Sequence, residues 1–130
     1  MSKKKILVIE DEDICVTLLN LVINVENFDV FVARNGEEGV QMAVREKPDL
    51  IFLDIMLPKI NGFDVAKRLR ENPALSASPI VVVTARAGES GQKTARQLGC
   101  QEFITKPFKV RQIKEVLNRY LKEPRGSFAA

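Results

Sequence analysis

Three acidic side chains stand directly behind apolar runs in this chain. Glu10 and Asp11 follow Lys5-Ile-Leu-Val-Ile, and Asp54 follows Leu50-Ile-Phe-Leu. Runs of this kind read as strands buried on both faces, so the carboxylates would emerge together where parallel strands end. Open α/β sheets place their ligand sites along that edge. Oxygen donors converging without His or Cys favour a hard cation, Mg²⁺ first among them. Two further polar residues close later runs: Thr84 ends Pro79-Ile-Val-Val-Val, and Lys106 ends Glu102-Phe-Ile-Thr. A cation-binding acid cluster beside an ammonium and a hydroxyl is what phosphoryl transfer requires. The cation and the Lys neutralise the phosphoryl oxygens, and the hydroxyl donates to one of them. A carboxylate at the centre can act as the nucleophile and form an aspartyl phosphate.

The elements that must position these residues can be read from the spacing. Strand-like runs recur at 5–10, 28–33, 50–54, 80–84 and 102–105, with helical periodicity between and after them. Such alternation with short connections predicts a parallel sheet covered by helices on both sides. The expected architecture is α/β, a doubly wound, flavodoxin-like sheet of five parallel strands in the order 2-1-3-4-5 with five helices. In the first helix Ile14, Leu18, Leu21, Val22 and Val25 form one apolar stripe, with Asp13 as its N-cap. Asn35 with Glu38 resembles a capping box, and Asn61 with Asp64 starts a third helix carrying Phe63, Val65, Ala66 and Leu69. That helix is interrupted at Glu71-Asn-Pro73. The last helix carries Val110, Ile113, Val116, Leu117, Tyr120 and Leu121 on one face, and Pro124 ends it. Residues 88–98 hold two glycines and only Ala95 and Leu98 as plain core candidates. This fourth helix is expected to be the least firmly held, since Gly costs a helix about 1 kcal/mol relative to Ala.

Composition narrows the function classes. A chain of 130 residues with 45% apolar and 28% charged content reads as one soluble globular domain. The expected division is a domain over 1–122 and a flexible tail or linker stub over 123–130. No apolar stretch approaches the roughly 20 residues of a membrane span, and the first residues are too short for a secretory signal. Cys15 and Cys100 fit no metal spacing and read as reduced thiols, consistent with a cytoplasmic setting. The absence of His removes an imidazole nucleophile, base or metal ligand. Between Arg86 and Arg125 ten Lys/Arg oppose four Glu. These cations are dispersed, with no zinc pattern and no aromatic platform, so a solvated face or a dock for an acidic protein is expected rather than nucleic acid.

Four features in order resemble the response-regulator receiver domain of two-component signalling, in its stand-alone, chemotaxis-regulator-like form. They are Ile9-Glu-Asp11, Asp54-Ile-Met-Leu-Pro58 followed by Gly62, Thr84-Ala85, and Lys106-Pro107-Phe108. The resemblance runs from about Lys4 to Leu121 and implies the following roles. Asp54 accepts a phosphoryl group from the phosphohistidine of a histidine kinase or phosphotransfer protein. Asp11, Asp54 and the backbone carbonyl of Met56 ligate Mg²⁺, with Mn²⁺ as its substitute, and Glu10 contributes through a water. Lys106 pairs with the phosphoryl group, and the Lys106–Pro107 bond is often cis. Thr84 and Phe103 occupy the paired switch positions. Met56 and Arg86 occupy positions that tune the lifetime of the acyl phosphate, and their bulk and charge imply slow hydrolysis. The output is a change in the face of the fourth helix, fifth strand and fifth helix, read by a protein partner. The module is thus a phosphoacceptor regulator rather than a turnover enzyme, with no direct nucleic acid or membrane contact.

Two departures are visible: Glu10 stands where the family often has Asp, and Phe103 where Tyr is commoner. An FMN or nucleotide site on the same topology would need a Gly-, Ser- or Thr-rich phosphate cradle after the first strand. Glu10-Asp-Glu-Asp13 would instead repel phosphate unless a metal intervenes. A degenerate receiver that serves only as a phosphorylation-independent docking module is the remaining alternative; its usual sign is loss of the acceptor Asp or the Lys, and both are present. Glu12 and Asp13 read simply as acids at the positive end of the first helix.

Overall fold

The computed structural model describes residues 3–25, 27–86 and 88–122. Strands and helices alternate: β1 (Lys5–Ile9), α1 (Asp13–Asn24), β2 (Asp29–Ala33), α2 (Gly36–Glu46) and β3 (Leu50–Leu53) come first. They are followed by α3 (Gly62–Glu71), β4 (Ile80–Thr84), α4 (Glu89–Gln97), β5 (Glu102–Thr105) and α5 (Val110–Leu121). The five strands are parallel in the order β2-β1-β3-β4-β5. This is the doubly wound arrangement expected from the alternation. The expected Pro124 stop and the 123–130 tail lie outside the described residues.

The unbroken apolar strands have a direct cause. Leu7, Ile9, Ile51 and Leu53 face one core with Ala43, Val65, Leu69 and Ala95 from α2, α3 and α4. Their neighbours Ile6, Val8, Leu50 and Phe52 face a second core with Leu19, Ile23, Ile113 and Leu117 from α1 and α5. Helices cover both faces, so alternation with polar residues is absent from β1 and β3.

Helix caps follow the expected pattern in α2 and α3. Asn35 Oδ1 accepts from the Glu38 amide at 2.9 Å, and Asn61 Oδ1 from the Asp64 amide at 3.1 Å. The first helix differs from expectation. Its N-cap is Glu12, and Asp13 lies inside the first turn. Its buried face is Cys15, Val16, Leu19, Val22 and Ile23. Of the expected stripe only Val22 is buried; Ile14, Leu18, Leu21 and Val25 are 72%, 46%, 62% and 75% exposed. The physical reason is that α1 is apolar nearly all round, so hydrophobic periodicity supports two faces and tertiary packing selects one. Val110 of α5, also expected in the core, is 53% exposed, while Ile113, Val116, Leu117 and Leu121 are buried.

Of the residues in α4, only Ala95 is fully buried, and its Gly88 cap makes no side-chain bond. The other end is held firmly. The Cys100 amide donates to Ala95 O at 2.9 Å and the Gly99 amide to Arg96 O at 3.0 Å, with Gly99 at φ +77°. This is a Schellman closure, which needs the left-handed conformation Gly adopts without strain. Arg70 of α3 then donates to Leu98 O, Gly99 O and Ser78 O at 3.1, 2.8 and 2.7 Å. Among the described residues, the bonds that fasten α4 to the rest of the fold are therefore concentrated at its C-terminal end.

Gly62 connects the fold to the edge where the acids lie. Its amide donates to Ile55 O at 2.9 Å. A Cβ at this position would sit 2.3 Å from Ile55 Cα and 2.5 Å from Asp54 O. These are backbone atoms that cannot rotate away. Gly62→Ala is therefore expected to lower stability by about 1–3 kcal/mol through overpacking. A urea titration should show an earlier midpoint with an unchanged slope. A midpoint equal to that of the wild type would mean the loop after β3 yields freely.

Candidate functional site

The register brings the acids together. Ile9 pairs with Leu53 at the ends of β1 and β3, so Glu10 and Asp54 emerge as neighbours. Both are nearly inaccessible, at 2% and 5% exposure. The Asp54 amide still donates to Ile9 O at 3.1 Å, and the Glu10 amide to Ala33 O at 2.9 Å, which holds both backbones in line with the sheet. Two carboxylates buried side by side need a cation or a proton between them.

Lys106 supplies the cation from the end of β5. Its amide donates to Thr84 O at 2.7 Å, and the Lys106–Pro107 peptide is cis. Its Nζ lies 2.8 Å from Glu10 Oε1, 3.0 Å from Asp54 Oδ2 and 3.1 Å from Glu12 Oε1. The other Asp54 oxygen, Oδ1, accepts from the Met56 amide at 2.9 Å, and Glu10 Oε2 accepts from the Glu12 amide at 3.1 Å. Asp11 is exposed, yet carboxylate oxygens of Glu10, Asp11 and Asp54 lie within 4.8 Å of one another. An all-oxygen set of this kind suits a hard divalent cation.

These contacts set the charges. Burial is the largest influence on Asp54 and opposes its ionisation; the Met56 amide and the Lys106 ammonium outweigh it and hold the carboxyl below its ordinary range. Burial also dominates Glu10, and with the adjacent Asp54 charge it raises that carboxyl despite Lys106. Burial works against the Lys106 charge too, but bonds to Glu10 and Asp54 win and push its pKa up. Cys15 lies against this cluster, and burial followed by Glu10 pushes its thiol up to about 12. Burial raises Cys100 to about 11. Both thiols are buried and unbridged.

The site opens into a cleft of about 590 Å³. Asp11, Glu12, Asp54 and Lys106 form its polar side, and Ile14, Leu18, Pro107 and Phe108 its apolar side. The exposed apolar stripe of α1 thus begins inside the cleft and runs outward from it.

The structure brings together Glu10, Asp11, Asp54 and Lys106 as expected from their strand ends. Met56 lines the same cleft and is 53% exposed. Thr84 is buried at the end of β4, but its Oγ1 accepts from the Arg86 amide at 3.3 Å, facing the following loop. Phe103 is half-buried against the α2–α3–α4 core, and Arg86 is exposed. Glu12 is the residue that sequence reasoning passed over. Its position between β1 and α1, on the edge where Lys106 also emerges, is the signal that could have found it.

Comparison with known proteins places this geometry in context. Residues 6–118 match the family model described as the response regulator receiver domain. The chain is 42% identical over 120 residues to the alkaline phosphatase synthesis transcriptional regulatory protein PhoP of Bacillus subtilis (strain 168), covering 89% of this chain and 49% of that protein. It therefore spans about half the length of that relative. It is 33% identical over 118 residues to the polar-differentiation response regulator DivK of Brucella anthropi, covering 91% of this chain and 96% of that one. Among solved structures, the receiver domain of the sensor histidine kinase PA1611 from Pseudomonas aeruginosa PAO1 superposes with a TM-score of 0.84 at 24% identity. That match covers 94% of this chain and 100% of the other, whose active-site cleft coordinates magnesium.

The charge arrangement sets a stability signature in the metal-free protein. Asp54, with its lowered pKa, contributes stability present above its unfolded value of about 3.9 and lost as pH falls through its folded value. Glu10, with its raised pKa, has the opposite sign: protonation on acidification relieves a buried charge. The Lys106 contribution is fully present below about pH 10.4 and is lost only as pH rises through its folded value. Replacing Lys106 by Met leaves both acids without their cation and is expected to cost about 3–5 kcal/mol at neutral pH. Between about pH 8 and 5 the variant should regain stability more steeply than the wild type, since a proton can replace the missing cation. Urea midpoints across that window in a chelator check this, and a constant wild-type-to-variant difference would contradict it.

Proposed function

The chain belongs to the response regulator receiver family, and on that premise we propose that Asp54 is the phosphoacceptor of a two-component phosphorelay. In the proposed step one Asp54 carboxylate oxygen attacks the phosphorus of a partner's phosphohistidine. The P–N bond breaks, and the imidazole leaves with the electron pair and takes a proton from solvent. The observation that carries this reading is the state of Asp54. It is buried yet held ionised, with Met56 N–H on one oxygen and the Lys106 ammonium 3.0 Å from the other. A carboxylate in that condition is a nucleophile with its electrostatic support already assembled.

The remaining residues take roles that the geometry permits. Asp11, Asp54 and the Met56 carbonyl would hold Mg²⁺, or Mn²⁺ in its place, with Glu10 acting through a water. When bound, the ion supplies the positive charge that lets an anionic phosphoryl group approach two carboxylates. Lys106 neutralises a phosphoryl oxygen, and Thr84, now turned to the Arg86 amide, donates its hydroxyl to another. Phe103 adjusts with Thr84, and the response is read by a protein partner at α4, β5 and α5. Met56 and Arg86 flank the route of water to the acyl phosphate and slow its hydrolysis. We place the module at 1–122, in the cytoplasm, as a regulator rather than a turnover enzyme. Any role of 123–130 belongs to the same proposal. Among the described residues no helix is long and apolar enough to cross a membrane.

The donor's position follows from the cleft. In this reading a phosphohistidine reaches Asp54 past Ile14, Leu18, Pro107 and Phe108, which line the same cleft. Its carrier then covers the adjoining Leu21 and Val25, which removes apolar area from water on both partners.

Two measurements test this reading. Acetyl phosphate with Mg²⁺ should add about 80 Da, one phosphoryl group, to the intact mass of the wild type and nothing to Asp54→Asn. No gain in the wild type, with Mg²⁺ binding intact, would favour the docking-module alternative. Separately, Leu18→Asp should slow transfer from a phosphorylated histidine donor by about tenfold or more while leaving acetyl phosphate labelling unchanged. Equal slowing with both donors would place the defect at Asp54 rather than at the docking surface.

A further inference from the structure

We infer that Glu12 is a positioning residue for the phosphoryl reaction, a carboxylate that occupies the place on Lys106 which a phosphoryl oxygen takes. The inference rests on Asp54 being the phosphoacceptor and assigns a function to a residue outside the acid triad. An ammonium carries three donors and no acceptor. Lys106 Nζ meets three carboxylate oxygens, from Glu10 at 2.8 Å, Asp54 at 3.0 Å and Glu12 at 3.1 Å. The contacts to Asp54 and Glu12 are hydrogen bonds and that to Glu10 is an ion pair, so the ammonium is ringed by three acids before any group arrives at Asp54. A phosphoryl oxygen that pairs with Lys106 therefore competes with one of these carboxylates.

The three contacts are unequal in what it takes to open them. The side chains of Glu10 and Asp54 are 2% and 6% exposed, whereas that of Glu12 is 60% exposed. Separating Lys106 from a buried carboxylate strands a charge away from water. Separating it from Glu12 returns a carboxylate to solvent, and such exposed pairs contribute little. Glu12 is therefore the contact that yields. It lines the same cleft as Asp54 and Lys106, so the donor it releases faces the space through which a phosphoryl group enters.

The surroundings of Glu12 suit this part. Its amide donates to Glu10 Oε2 at 3.1 Å, which fixes the backbone, while its exposed carboxylate is held by Lys106. It is the N-cap of α1, but its side chain makes no capping bond, so its replacement removes no helix cap. Until displaced it holds Lys106 across the mouth of the cleft. Once displaced it remains a nearby anion that competes to return.

Removing that competitor should favour phosphoryl binding. The experiment measures the apparent affinity for beryllofluoride, a phosphoryl analogue, with Mg²⁺ by ¹⁹F NMR, and the initial rate of acetyl phosphate labelling. The proteins compared are the wild type, Glu12→Gln, Glu12→Ala, Lys106→Met and the two Glu12 changes combined with Lys106→Met. Both single Glu12 variants are expected to bind beryllofluoride about two- to fivefold more tightly than the wild type, the range of one exposed ion pair. Their labelling should quicken by a similar factor. In the Lys106→Met background the Glu12 changes should have no effect, because the competition passes through Lys106. The gain should also be the same with phosphoramidate, which carries less charge than acetyl phosphate. Tighter binding that persists without Lys106, or that scales with donor charge, would overturn the inference in favour of simple repulsion. Uptake by the wild type with no gain in either Glu12 variant would overturn it as well. A wild type that takes up neither reagent would overturn the phosphoacceptor reading, and this inference with it.

Discussion

The ammonium of Lys106 between two buried carboxylates is the contact on which the rest of this molecule turns. Parallel pairing of β1 with β3 delivers Glu10 and Asp54 to the same point of the sheet edge, and both are almost wholly removed from water. Without a counter-charge that arrangement would force one acid to keep its proton. Lys106 prevents this for Asp54, and it can do so only because β5 lies beside β4 and its amide is tied to Thr84 O at 2.7 Å. The strand order, the register and the loop after β5 are thus all needed for a single ion contact. The buried residues of the two cores hold those strands in place; the charge cluster determines what the edge can do.

How much of this could be read in the sequence depends on whether local pattern or tertiary packing decides. The strands were legible because burial on both faces writes itself as an uninterrupted apolar run, as in Ile6–Ile9 and Leu50–Leu53. The meeting of Glu10, Asp54 and Lys106 was legible because strand order alone sets which ends are neighbours. The buried face of α1 was not. With Ile14, Leu18 and Leu21 on one side and Cys15, Leu19 and Ile23 on another, hydrophobicity gives no reason to choose between them. The packing of α1 against α5 does. Glu12 was obscured differently, since an acid before a helix has a sufficient local explanation in the helix dipole. Its contact with Lys106 spans 94 positions and belongs only to the folded chain.

That unchosen face of α1 has a consequence of its own. An exposed stripe from Ile14 to Val25 is expensive for a protein in water, and α1 could have carried polar residues there without loss to the core. The stripe begins at the cleft that contains Asp54 and continues outward. The stripe and the cleft at Asp54 are therefore one continuous surface, apolar along α1 and charged at the sheet edge.

The opposite side of the site is built on a different principle. Thr84 and Arg86 lead directly to the uncapped N-terminal end of α4, which buries little. The far end of α4 is locked by the Schellman closure at Gly99 and by Arg70, whose guanidinium spans the turns before β4 and β5. A helix fastened at one end and loose at the other responds to a local disturbance by moving its loose end, since that is where the fewest contacts oppose displacement. The loose end is the one joined to Thr84. Among the described residues the Thr84 hydroxyl accepts from the Arg86 amide on that side, whereas displacement at Leu98 would have to break the charge-assisted bonds from Arg70 to Leu98 O and Gly99 O at once. Under the proposed role of Thr84, the end of α4 that would follow it is thus set by where Arg70 stands, well away from Asp54.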